Sequence, residues 1–155
     1  MSETAGDIMT KNIITVRDDT SLNNLVGIFT ENKISCAPVI NKKKQLIGIV
    51  TKSDILSYFL EIDLNISIKY HLKDILESKL EDIDLEIPPE TDFKVKNIMT
   101  ANPITVNEKT SIKSLANIML DNNIHRLIVK KGKTTVGIIS TRNLISHVAG
   151  IDKNE

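Results

Sequence analysis

A chain of 155 residues that is 41% hydrophobic and 26% charged is long and apolar enough to fold around a real core, so one compact body is the default. Twenty basic residues balance twenty acidic ones and only 3% are aromatic, which excludes the basic field and stacking platforms of a general nucleic-acid binder. No apolar run reaches bilayer length and "MSETAGDIMTK" lacks a charged start followed by an apolar stretch, so a soluble cytoplasmic chain without membrane contact is expected.

In chain order, a short extended piece from Ile13 to Val16 precedes Thr20, which is expected to cap a helix whose apolar face is Leu22, Leu25, Val26 and Phe29. Two β-rich runs follow, "CAPVI" and "LIGIV", joined by the polar turn "NKKKQ", and read as a hairpin. The lone Cys36 cannot form an internal disulfide, and "ISCAPVI" suits a buried, inert thiol. A second helix is expected from Lys52. From Glu61 to Phe93 ten acidic residues face three lysines, a net charge of −7. There Leu72, Ile75, Leu76 and Leu80 give one helical face, ending near the paired prolines of "IPPET". This acidic insert reads as a surface helix or as a docking segment for another protein. Beyond it the pattern returns: an extended piece from Ile104 to Val106, a cap at Thr110, and a helix with Ile112, Leu115, Ala116 and Met119 inward. The runs "RLIV" and "TVGII" then flank "KKGK", and a last helix starts at Thr141.

The return is a true internal repeat. "DIMTKNIITV" from Asp7 lies on "NIMTANPITV" from Asn97, 90 residues on, and after one deletion in the hairpin turn Gly48 meets Gly137. The expected organisation is therefore a first repeat over 1–60, the partly helical insert over 61–94 and a second repeat over 95–155. Each repeat reads β-α-β-β-α. Neither buries much alone, so an α/β (α+β) body of two pseudo-symmetric repeats packed sheet to sheet is expected.

Each repeat ends with a strand running into a helix, "GIVTKSD" and "GIISTRN". Thr51 with Asp54, and Ser140 with Asn143, have the spacing of a capping box, in which the hydroxyl and the later side chain satisfy each other's backbone amides. The same residues suit a ligand: a carboxylate at Asp54 can accept from the two adjacent hydroxyls of a ribose, and the Thr51 hydroxyl and the following amides can face a phosphate. Both readings stand on the sequence. His71, His125 and His147 lie at no metal-ligand spacing with Cys36 or with one another, and no catalytic-metal, nucleophile-elbow or phosphate-loop motif is present. His147, near the end of the last helix, suits the helix dipole. Lys42, Lys43 and Lys44 read as a solvated turn.

The opening motifs "DIMT" and "NIMT", with "PITV", "APVI", "HRLIV" and the two G-x-x-[ST]-x-x-[DN] endings, resemble the paired cystathionine-β-synthase-type (CBS) domains, the Bateman module. The likeness covers nearly the whole chain outside the acidic insert. It implies a non-enzymatic regulatory module that binds an adenine nucleotide or S-adenosylmethionine as regulatory ligand, requires no cofactor, and pairs with a second copy into a disc-like homodimer. It also implies that Asp54 meets ribose and Thr51 phosphate. The cationic pair His125 and Arg126 would reach phosphates, while Ile14, Ala37 and Pro38, or Ile104 and Leu127, flank adenine. Thr15, Thr105, Ser140, Arg142 and Asn143 complete the expected ligand-binding set.

The copies differ in chemistry. The first has Asp54 but neutral Ser35 and Cys36; the second has His125, Arg126 and Arg142 but Asn143 in place of the carboxylate. One better site anchored by Asp54, with second-copy cations serving its phosphates, is expected, because an amide accepts only through its oxygen. The leading expectation is a sensor of AMP, ADP, ATP or S-adenosylmethionine that transmits binding to an unknown regulated protein. The alternative is a ligand-free dimerisation or interaction scaffold of the same fold, which the uncharged Ser35, Cys36 and Asn143 favour.

Overall fold

The computed structural model describes residues 3–61 and 93–151. Leu72, Ile75, Leu76, Leu80 and His71 of the expected acidic helix lie outside the described residues. The chain forms two compact units, residues 15–101 and residues 1–14 together with 102–155. These are called the first and second unit. A short helix α1 (Ala5–Ile8) opens the chain and belongs to the second.

The first unit follows the expected order: β1 (Val16–Arg17), α2 (Leu22–Glu31), β2 (Cys36–Ile40), β3 (Leu46–Thr51) and α3 (Lys52–Glu61), joined by a short helix α4 (Val95–Ile98) and β4 (Thr100–Ala101). Its sheet runs β1-β2-β3-β4, with β1 parallel to β2 and the other pairs antiparallel. Leu22, Leu25 and Phe29 recur at helical spacing and bury one face of α2 against Ala37, Val39 and Val50 of the sheet. The second unit repeats this with β5 (Thr105–Asn107), α5 (Ile112–Asp121), β6 (Arg126–Lys131), β7 (Thr134–Ser140) and α6 (Thr141–Val148), in the sheet order β5-β6-β7. Its core holds Leu115, Met119, Leu127, Val129 and Ile139. Cys36, at the first residue of β2, is half-buried rather than buried.

Two local expectations need correction. The strands begin later than the apolar runs, at Val16 and Thr105; in the first repeat Ile13 is drawn into a turn by its amide bond to Lys11 O. The helix caps are Ser21 and Ser111, not Thr20 and Thr110; each serine hydroxyl accepts an amide from three residues on, Asn24 and Ser114, at 3.3 Å. The threonines have another task. Thr20 O accepts the Val95 amide at 2.9 Å and Thr110 O accepts the Ala5 amide at 2.8 Å, so each fastens one of the short helices.

Those fastenings exchange segments between the repeats. The "DIMT" segment of the first repeat docks in the second unit, where Ala5 is fully buried and Thr10 forms a two-bond bridge with Ile138. The "NIMT" segment docks in the first unit, where Val95 is fully buried and Thr100 pairs with Ile49. Glycine permits this approach: a Cβ at Gly48 would lie 2.6 Å from Met99 Sδ and 3.1 Å from Thr100 O, and one at Gly137 would strike Met9 Sδ and lie 3.0 Å from Thr10 O. At the start of α1 the Thr4 amide and hydroxyl both donate to Asp7 Oδ2, at 2.7 and 2.9 Å, and this bonding, the backbone amide first, holds the Asp7 carboxyl below its ordinary range.

Candidate functional site

In each unit the antiparallel hairpin brings the end of its second strand beside the start of its first. In the first unit Cys36 pairs with Thr51 and Ala37 with Val50, and the parallel pairing of Val16 with Val39 sets Thr15 at the same end of the sheet. The Lys52 amide donates to Ser35 O at 3.0 Å and turns the chain into α3 there. Thr15, Ala37, Pro38, Thr51 and Asp54 are thus gathered at one sheet end, Ala37 and Pro38 buried, Thr51 and Asp54 half-buried, Thr15 exposed. The second unit gathers Ile104, Thr105, His125, Arg126, Leu127, Ser140, Arg142 and Asn143 in the same way: Arg126 pairs with Ser140, Leu127 with Ile139, and the Thr141 amide donates to His125 O at 3.0 Å. His125 and Arg142 are exposed, Arg126 half-buried and Leu127 buried. Ile14 is the last residue of the second unit's opening segment and is half-buried.

Both capping boxes are formed. Asp54 Oδ2 accepts from the Thr51 amide at 2.7 Å and the Thr51 hydroxyl at 2.8 Å, and the Asp54 amide donates back to Thr51 Oγ1 at 3.2 Å. The hydroxyl expected to face a phosphate therefore directs its proton to Asp54 and keeps only acceptor capacity, which a phosphate cannot use. The carboxylate is half spent. Oδ2 is committed to the helix start, and among the described residues none donates to Oδ1.

The second box differs at one atom. Asn143 Oδ1 accepts from the Ser140 amide at 2.8 Å and the Ser140 hydroxyl at 2.6 Å, as Asp54 Oδ2 does, but its Nδ2 donates to Ile8 O at 2.9 Å. Both ends of the amide are used by the protein, and Asn143 is 6% exposed. Nothing in the sequence points to Ile8 as that partner, since the repeat register places "DIMT" with its own copy. Among the described residues no group of three or more His, Cys, Asp or Glu side chains is placed to hold a metal, and no helix is long and apolar enough to cross a membrane.

The CBS domain family model matches residues 5–61 and 95–150. An uncharacterized protein of Methanocaldococcus jannaschii is 34% identical over 148 residues, covering 90% of this chain and 87% of that one. Of three further curated relatives the chain spans 32%, 66% and 39% of the length. Among solved structures, CBSX2 in complex with AMP is 22% identical, with 96% of this chain and 98% of that chain covered and a TM-score of 0.66. A CBS domain pair in complex with 5'-methylthioadenosine and S-adenosyl-L-methionine is 21% identical, with 98% and 100% covered and a TM-score of 0.69. Two matched segments, two sheets with their helices, and a relative alike over almost its full length make this chain a member of the CBS-domain family, a tandem CBS pair of mixed α/β fold.

Proposed function

We propose that this chain is a regulatory module that binds an adenosine nucleotide at the sheet end carrying Asp54 and passes the bound state to a partner protein, with no catalysis of its own. The observation that carries the reading is the open oxygen of Asp54. A half-buried carboxylate fixed through Oδ2 cannot swing away, and Oδ1, to which none of the described residues donates, offers two lone pairs at this sheet end. Adjacent ribose hydroxyls are donors that match it. The choice of ligand class rests on neighbours of the same fold, one solved with AMP and one with S-adenosyl-L-methionine.

A melting screen with AMP, ADP, ATP and S-adenosylmethionine tests the reading first: a ligand at about a hundred times its dissociation constant stabilises the folded state by about 2.7 kcal/mol. Asp54→Asn then tests the residue. An asparagine keeps the capping acceptor, as Asn143 does, but replaces Oδ1 with a donor, so affinity should fall about tenfold to a hundredfold while the melting temperature of the free chain holds. Unchanged affinity removes Asp54 from the site.

The second reading is a scaffold that pairs with a second copy and takes no ligand. It is favoured by the large apolar side chains left exposed in the second unit, Leu120 at 78%, Ile145 at 63%, Val148 at 83% and Ile151 at 63%. No melting shift with any of the four compounds selects it.

A further inference from the structure

We infer that Asn143 is a latch: its side-chain amide fastens the exchanged N-terminal segment to the second unit, and position 143 serves the chain's own backbone rather than a ligand. The repeats supply the comparison. Asn143 and Asp54 occupy matching places, cap matching helices and accept the same pair of bonds through one oxygen. They differ in the remaining atom, which in Asn143 donates to Ile8 O and which in Asp54 can only accept. In repeat register Ile8 corresponds to Ile98, whose carbonyl a carboxylate cannot bond. The amide is therefore what the second unit has and the first lacks.

A second contact at the same junction has the same character. His147 Nε2 lies 2.8 Å from Glu3 Oε2, tying α6 to the start of the N-terminal segment. The corresponding pair in the first unit is Tyr58 and Phe93, whose ring centroids are 4.7 Å apart. At these matching positions the α4 segment has an aromatic contact where the α1 segment has a polar one, and Asn143, itself 6% exposed, gives the α1 segment a further side-chain bond. From Ile8 the chain passes through Met9, against Gly137, and Thr10, bridged to Ile138, to leave the second unit after Ile14. The latch fixes the start of that path.

The inference is independent of nucleotide binding and is tested on the free chain by amide hydrogen exchange. Asn143→Asp retains the oxygen that caps Ser140 and sets a second oxygen against Ile8 O. Exchange of the Ala5, Gly6 and Thr10 amides should then rise about tenfold or more, while Val95 and Lys96 of the other exchanged segment and the first turn of α6 keep their rates. Unchanged rates at residues 5–10, or a uniform rise through the whole unit, overturn the latch. In the unaltered chain the Asn143 side-chain amide protons should themselves resist exchange, and free exchange there overturns it without any variant.

Discussion

Tyr58 carries a buried hydroxyl that has no hydrogen-bond partner among the described residues, and burial raises its pKa. A buried donor without a partner forfeits the bonds it made to water in the unfolded chain, at a cost of about 1–3 kcal/mol. Tyr58→Phe keeps the ring that packs on Phe59 and Phe93, at centroid distances of 5.6 and 4.7 Å, and removes the orphan. It should raise stability by about 1 kcal/mol, read as a higher denaturant midpoint at constant slope; a lower midpoint assigns the hydroxyl a partner. At this scale the sequence was legible only for local chemistry. The spacing of Thr51 with Asp54 and of Ser140 with Asn143 showed both boxes, because a cap joins residues three apart. The Asn143 bond to Ile8 spans 135 positions, and no spacing rule reaches it.

At the scale of elements, the two G-x-x-[ST]-x-x-[DN] motifs each begin at a glycine pressed by a methionine from an exchanged segment. Gly48→Ala and Gly137→Ala should each lower stability by about 1–3 kcal/mol, since the added methyl must displace Met99 or Met9 and then meets the backbone oxygen of Thr100 or Thr10. Thermal unfolding checks the loss. Combining Gly48→Ala with Met99→Ala should recover part of it as a coupling between the sites, and strict additivity would show that the methionine is not the obstacle. The longer elements were readable from the sequence: Leu22, Leu25 and Phe29 announce α2 by period, and "CAPVI" with "LIGIV" announce a hairpin by β-branched residues around a polar turn. The four-residue helices α1 and α4 were not, because one turn is too short to show a period. The caps moved from Thr20 and Thr110 to the adjacent serines because the threonine carbonyls are taken by Val95 and Ala5.

At the scale of the whole molecule, the internal repeat was plain in the sequence and the exchange of segments was not. Self-comparison shows which residues are alike, but a "DIMT" docked on its own repeat and one docked on the other satisfy the same pattern, since the two docking surfaces are themselves alike. The division into units makes a claim that the repeat boundaries do not. A fragment of residues 15–101 contains β1 to β4, α2 to α4 and every residue of the first core, including Val95, and should melt cooperatively alone. A fragment of residues 102–155 lacks Ala5 from the second core, the cover that Met9 lays on Gly137, the Thr10 bridge to Ile138 and the Ile8 acceptor of the Asn143 amide. It should show no cooperative transition until a peptide of residues 1–14 is added, and its melting temperature should then climb with peptide concentration as mass action requires. Cooperative folding of residues 102–155 without the peptide would mean that the N-terminal segment is an ornament of that unit and not a part of it.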